Sequence, residues 1–354
     1  MRDGVRSVRA GVVGCGVIAE IMHLPGLRAM HDMGLAELVA VCDVREEQAR
    51  AAAARFGVPA SFGGLDEMLA RTDLDLLVNA TPIPSHYAVT LAGLRADCHV
   101  YTQKPMAATI AEATFLIEEA QTRGLLLGCA PEHPVRPYIQ TIRRLIEEGA
   151  IGAVTFARVQ SSHGGPEKHD VARDPTWFYK PGSSPILDMG VHGLSQITAI
   201  LGPVRRLACM SGRTQDARLT TAGAFKGLSI EVEIEDNAHF LLDFEGARFA
   251  HLDATYCVEA TLGPRLEVHG TEGTLAVTGP RFAESRLHLF RTAEGEWREL
   301  ELPPPPPVVD LGVWHLVQCL HEGGELTLTP ERGRHLLEVL SEAPRAASEG
   351  RTLA

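Results

Sequence analysis

The stretch Val8 to Met30, VRAGVVGCGVIAEIMHLPGLRAM, followed by the apolar run LVAVCD ending at Asp43, constrains this chain more than any other. Val8 to Val13 is the short β-branched run of a buried strand, it breaks on Gly14 and Gly16, and apolar residues then recur at helical spacing from Ile18. Gly14 suits a tight reversal, Gly16 a close approach of backbone to a pyrophosphate, and Ala19 a helix lying close on its sheet. The N–H groups at the start of that helix, around Val17 and Ile18, would hold phosphates. Asp43, ending the second strand-like run, can accept from the ribose hydroxyls of a bound dinucleotide. A carboxylate there repels a 2′-phosphate and so points to NAD rather than NADP, although Arg45 could accommodate that phosphate.

With 354 residues the chain has room for two domains with sizeable cores, and 45% hydrophobic against 22% charged residues is an ordinary globular balance. The net charge of −12, with no basic run, argues against nucleic acid as a partner. No apolar stretch reaches the ~18 residues of a membrane span, and MRDGVRSVRA has no apolar centre of a signal peptide, so a cytoplasmic, membrane-free protein is expected. Seven cysteines, at 15, 42, 98, 129, 209, 257 and 319, form no C-x-x-C pair and fit reduced core thiols better than disulfides or a zinc site.

After Asp43, helical and strand-like segments alternate to Pro131: REEQARAAAARFG, Asp66 to Ala70, LDLLVNATP, HYAVTLAGLRA, CHVYTQKP, ATIAEATFLIEEAQTRG and LLLGCAP. That alternation predicts a parallel, doubly wound α/β domain over residues 1–131, with Asn79 and Thr81 at the strand end where ligands bind such sheets. Residues 132–354 are expected to form a second α/β domain. A helix, YIQTIRRLIEEGAIG, precedes strand-like runs VTFARVQSSH, AHFLLDFEG, ARFAHLDATYCV, RLEVHGTEGTLAVTG, RLHLFRT and WRELEL, which read as one large, mostly antiparallel sheet. The loop Ser161 to Ser184 and the helix DMGVHGLSQITAIL interrupt them early; Pro303 to Pro307 makes an extended connector before two final helices.

Lys104, before Pro105 at a strand end, could hold a substrate hydroxyl, stabilise an alkoxide or act as a base; it could equally be a surface lysine in a turn. Asp188 and His192 share a helix face, which suits a base with its orienting acid, a metal pair, or a plain helix contact. His163, Lys168, His169, Trp177 and Tyr179 populate the preceding loop, where rings and hydrogen-bonding groups suit a polyhydroxylated substrate, or form an ordinary surface. No metal site is expected.

Together, GVVGCGVIAE with Asp43, NATP followed by His86, CHVYTQKPMA, SSPILDMGVHGL and the closing SEGRTL resemble the glucose-fructose oxidoreductase, inositol dehydrogenase and rhizopine-catabolism (Gfo/Idh/MocA) family over nearly the whole chain. The resemblance implies a Rossmann domain paired with an α/β domain whose open sheet mediates dimers or tetramers. It also implies NAD(P)-dependent oxidation or reduction of one secondary alcohol of a sugar, cyclitol or sugar nucleotide. It extends the coenzyme site to Thr81, Pro82, His86, Gln103 and Lys104, and makes Lys104, Asp188 and His192 the catalytic set. In that set His192, oriented by Asp188, takes the hydroxyl proton while Lys104 hydrogen-bonds the same oxygen. The family carries Glu before Lys-Pro where this chain has Gln103, which removes a negative charge beside Lys104. The alternatives are a nucleotide-binding regulator without turnover, an NAD-dependent glycosidase of the same fold, and a metal-dependent hydrolase or isomerase using Asp188 and His192.

Overall fold

The computed structural model describes residues 6–171, 174–279 and 284–353; the first five residues of the N-terminal stretch and residues 172 and 173 of the loop lie outside them. The chain forms two compact units, Met1–Val135 with Pro305–Leu337, and Arg136–Pro304 with Glu338–Ala354.

The first unit runs β1 (Val8–Val13), a π-helical turn (Ala19–His23), α1 (Leu24–Asp32), β2 (Ala36–Cys42), α2 (Glu46–Phe56), β3 (Ala60–Phe62), α3 (Leu65–Arg71), β4 (Leu76–Asn79), α4 (Ile83–Arg95), β5 (His99–Thr102), α5 (Ile110–Arg123) and β6 (Leu127–Cys129). The six strands are all parallel, in the order β3-β2-β1-β4-β5-β6. Strand residues alternate between two buried faces. Val12 and Val78 join a core with Leu24 and Leu27 of α1, whereas Val13 and Leu77 join one with Leu94 and Leu116 of α4 and α5. Both faces are covered, which is why these strands read as unbroken apolar runs.

The second unit holds α6 (Pro137–Glu147), β7 (Val154–Gln160), a second π-helical turn (Ile186–Gly190), α7 (Val191–Leu201), β8 (Arg206–Gly212), β9 (Ala217–Leu219), β10 (Ser229–Glu231), β11 (Asn237–Asp243), β12 (Phe249–Thr255), β13 (Leu266–Gly270), β14 (Gly273–Thr278), β15 (Arg286–Arg291) and β16 (Trp297–Leu300). Eight strands make one sheet, β16-β15-β14-β13-β7-β12-β11-β8, antiparallel except where β12 runs parallel to β7; β9 and β10 pair separately. Ala238, Phe240 and Leu242 of β11 are buried and Leu241 between them is 60% exposed, the alternation of a sheet covered on one face. Gly193 of α7 permits close packing there, since a Cβ would stand 2.4 Å from Leu252 Cδ1.

Two departures from the sequence reading matter. The expected boundary between 131 and 132 treats everything beyond as one domain, yet α8 (Leu311–Glu322) returns to the first unit. Its Leu311, Val313, Leu316 and Val317 complete the core on the α1 side of the parallel sheet, and a Cβ on Gly312 would strike the Tyr101 hydroxyl at 2.0 Å. The last helix, α9 (Pro330–Glu349), begins in the first unit and ends in the second. The helix expected through DMGVHGL is also not regular, because Asp188 lies in a π-helical turn and His192 in the first turn of α7.

Candidate active site

In the first unit the glycine turn is held from two sides. Gly14 has φ +90° and a Cβ there would stand 2.6 Å from the Ala80 carbonyl oxygen, so the backbone beyond β4 is what excludes a side chain. Asp43, buried at the end of β2, accepts from the Cys15 N–H at 2.9 Å through Oδ2 and from the Arg45 N–H at 2.9 Å through Oδ1. The carboxylate thus fixes the turn as well as marking the strand end. Val17 is exposed, Gly16 and Ile18 are half-buried, and Ala19 is fully buried beneath the helix start. An open helix N-terminus beside a fixed carboxylate at the carboxyl edge of a parallel sheet is a donor and acceptor set that fits a dinucleotide.

Asn79 at the end of β4 is fully buried. It donates to the His86 carbonyl and the Thr90 hydroxyl, both at 3.0 Å, and accepts from the Thr81 hydroxyl at 2.6 Å, so it builds the Thr81–Pro82 loop from beneath. His86 is 1% exposed with Nδ1 2.6 Å from the Pro105 carbonyl and Nε2 2.8 Å from that of Thr81. Burial pulls its pKa down against those two carbonyls. The ring ties one loop to the other, so the place given to His86 among coenzyme contacts becomes one of holding Thr81 and Lys104 in position. Gln103 is buried, whereas Lys104 is half-buried, next to the cis peptide bond to Pro105.

In the second unit, Asp188 and His192 are both half-buried. Asp188 Oδ2 accepts from the Tyr256 hydroxyl at 3.2 Å. Ser161 fastens the π-helical turn to α7, its hydroxyl donating to the Met189 carbonyl at 2.5 Å and accepting from the Gly193 N–H at 3.1 Å. π-Helical turns occur frequently at functional sites. This chain has one after the glycine turn and one ending immediately before Val191 and His192.

The loop before that turn rests on a buried charged network with no signature in the sequence, its members being Glu167 of the loop itself, Arg218 of β9 and Asp236 just before β11. Arg218 donates from Nη2 to Asp236 at 2.7 Å and from Nη1 to Glu167 at 3.1 Å, all three side chains being at most 2% exposed. The Tyr179 hydroxyl donates to Glu167. Burial and then Glu167 push the Tyr179 hydroxyl well up, burial and then Asp188 do the same to the Tyr256 hydroxyl, and Arg218 is held firmly cationic by its two acids against the cost of burial. Tyr179, expected among the substrate residues, is 0% exposed with its hydroxyl committed to Glu167, and it supports the loop from within. His163 is half-buried, stacked on Tyr256 with ring centroids 5.2 Å apart, and its Nδ1 accepts from the Gly165 N–H at 3.0 Å. Burial and His169 lower its pKa. Trp177 is 53% exposed and stacks on Phe178; Lys168 pairs with Glu259, and His169 is exposed. Among the described residues no group of three or more His, Cys, Asp or Glu side chains is disposed to hold a metal ion.

Known proteins resemble this chain along nearly its whole length. The chain is 28% identical to the D-apiose dehydrogenase of Paraburkholderia graminis over 365 aligned positions, covering 99% of this chain and 90% of that one. It is 24% identical to scyllo-inositol 2-dehydrogenase (NADP(+)) IolW of Bacillus subtilis, covering 99% and 97%. Among solved structures, an oxidoreductase from Agrobacterium radiobacter in complex with NAD+, L-tartaric acid and magnesium superposes with a TM-score of 0.81 at 21% identity, covering 98% of each chain. Residues 8–130 match the model of the oxidoreductase family's NAD-binding Rossmann fold, and residues 139–276 match the GFO/IDH/MocA C-terminal domain. With a parallel nucleotide-binding sheet, an open second sheet and both family models in their expected order, the chain belongs to the GFO/IDH/MocA family of NAD-binding oxidoreductases.

Proposed function

We propose that the protein is an NAD-dependent dehydrogenase or reductase acting on a secondary alcohol or ketone of a sugar or cyclitol. The observation that carries this reading is the oriented acid at the second π-helical turn: Asp188, held by the Tyr256 hydroxyl at 3.2 Å, lies one helical turn before His192. An acid fixed beside an imidazole is what a proton-transferring histidine needs.

His192 is the base that removes the hydroxyl proton, or returns it in the reductive direction, and Asp188 sets its orientation. Lys104 hydrogen-bonds the same oxygen and offsets the negative charge that grows on it. Gly14, Gly16, Val17, Ile18 and Ala19 would hold the coenzyme phosphates and Asp43 the ribose hydroxyls, with Arg45, Thr81, Pro82 and Gln103 flanking them. The coenzyme, when bound, supplies the acceptor or donor of hydride. The buried Asp43 carboxylate supports NAD over NADP. His163 and Trp177 line the loop assigned to the substrate.

A homodimer or homotetramer in the cytoplasm completes the reading. It is supported by Met210, Leu241 and Phe249, 80%, 60% and 45% exposed on the uncovered face of the second sheet, and by seven free thiols. Light scattering on the purified chain tests the assembly. Among the described residues no helix is long and apolar enough to cross a membrane.

The activity is tested by following NADH absorbance with a panel of aldoses and cyclitols, and with keto-sugars in reverse. His192→Asn should lower kcat about 10²- to 10⁴-fold, the worth of a positioned base. Unchanged turnover in that variant, or no redox change of the coenzyme with any member of the panel, would remove the assignment.

A further inference from the structure

His23, Asp310 and Gln103 are far apart in the sequence, lie within the first unit, and form an unbroken buried chain of hydrogen bonds. His23 Nδ1 is 2.6 Å from Asp310 Oδ2, and both side chains are 0% exposed. On the other side of the ring, Gln103 Nε2 stands 2.8 Å from His23 Nε2. Gln103 Oε1 then accepts from the backbone N–H of Lys104 at 3.4 Å. The chain is closely packed at both ends. Asp310 Oδ1 also caps α8 by accepting from the Val313 N–H at 3.0 Å, and a Cβ on Gly26 would stand 2.5 Å from Asp310 Cβ. The Tyr101 ring meets the imidazole edge-on, with centroids 6.0 Å apart.

The chemistry of the atoms fixes the direction of every bond. A carboxylate only accepts, so Nδ1 of His23 carries a proton; an amide nitrogen only donates, so Nε2 of His23 is the bare lone pair. The ring is then the neutral Nδ1–H tautomer. The same choice turns the amide oxygen of Gln103 toward Lys104 and gives the side chain one orientation.

We propose that His23 and Asp310 are positioning residues for the coenzyme end of the Lys104 turn. The anion on Asp310, delivered by the segment that returns to the first unit, fixes the tautomer of His23. That tautomer fixes Gln103, and Gln103 sets the backbone from which the Lys104 side chain springs. This rests on the reading of Lys104 as a residue of the oxidoreductase site, and two independent arms separate the two claims.

The first arm needs no coenzyme. Nitrogen-15 ring spectra of the full chain should contain one neutral Nδ1–H histidine that is missing from His23→Gln. In Gln103→Glu, where two carboxylates face one ring, the same residue should become doubly protonated at pH 7.5. A doubly protonated or Nε2–H ring at His23 in the wild type overturns the proposal. The second arm measures NAD+ affinity by calorimetry. Asp310→Ser keeps a helix-capping oxygen but is too short to reach the ring, whereas Asp310→Ala loses both functions. Both variants should bind NAD+ more weakly by roughly tenfold, about the effect of losing one charge-assisted hydrogen bond, although only the alanine variant loses the cap's contribution to melting temperature. If Asp310→Ser binds NAD+ as the wild type does, Asp310 is only a helix cap and the proposal fails. A wild-type chain that bound no NAD+ would instead defeat the oxidoreductase reading.

Discussion

Replacing Arg218 with methionine removes the cation from a site that holds two buried acids. Its guanidinium makes its bonds to Asp236 and Glu167 at 2.7 and 3.1 Å, with a further bond to the Tyr256 carbonyl at 3.1 Å. Methionine fills most of the volume and satisfies none of these groups. Removing one partner of a buried ion pair costs about 3–5 kcal/mol because the other charge is left without compensation. Here two carboxylates are left together at 2% and 0% side-chain exposure, which puts the expected loss near the upper end, about 5 kcal/mol. For a unit of this size that is roughly 10 to 20 °C in melting temperature. Calorimetry and urea unfolding would measure it. The triple variant Arg218→Met with Glu167→Gln and Asp236→Asn should recover most of the loss, since neutral groups of the same shape carry no stranded charge. The network also holds the loop bearing His163, so KM for the sugar should rise in the single variant while NAD+ affinity, which depends on the first unit, stays unchanged. A single variant melting within about 2 °C of the wild type, or a triple variant no better than the single, would refute the reasoning; the comparison rests on the coupling of adjacent groups.

Gly14→Ala should lose at least about 1–3 kcal/mol and bind NAD+ more than tenfold more weakly, because a Cβ at φ +90° would meet the Ala80 carbonyl at 2.6 Å; unfolding curves and calorimetry would show both. Stability should fall on acidification below about pH 6.5. The pKa of His86 is lowered on folding, so the unfolded chain binds the proton first, and the stability present above the unfolded value is lost as pH falls toward the folded one. The slope should approach ~1.4 kcal/mol per pH unit from this group and flatten in His86→Gln, as melting temperatures from pH 8 to 5 would report. His99, His163 and His315, also lowered by burial, add to the wild-type slope in the same direction. Finally, iodoacetamide at pH 8 should modify Cys257 quickly and the other six cysteines slowly, since Cys257 alone is exposed and burial pushes Cys15 and Cys129 up to about 12; mass spectrometry of short reactions would show whether a second thiol reacts as fast.

The first unit was legible in the sequence because its signals are local. The apolar run into Gly14, the helical periodicity after Ile18, and the alternation of strands and helices to Pro131 each depend on a few neighbouring residues, and Asp43 is marked by its place at a strand end. The second sheet announced itself through runs such as AHFLLDFEG and RLHLFRT. β8, β9 and β10 carried too little apolar pattern to be read, with Arg218 interrupting the middle of β9. Asp188 and His192 were found by spacing. The π-helical turn that carries Asp188 was invisible, since nothing in ILDMG specifies one extra residue per turn.

The sequence by itself determined the alternation of strands and helices in the first sheet, where the glycine turn lies, and which few polar residues stand near strand and helix ends, because backbone sterics and hydrophobic periodicity act over one or two turns of chain. Tertiary structure alone decided that α8 returns to the first sheet and that Asp310 meets His23 across 287 residues. It also decided that the Tyr179 hydroxyl meets the buried Glu167 and that the Tyr256 hydroxyl meets Asp188. The physical reason is that a buried charge must find a partner wherever the packed chain brings one, and no local pattern encodes a partner that distant in sequence.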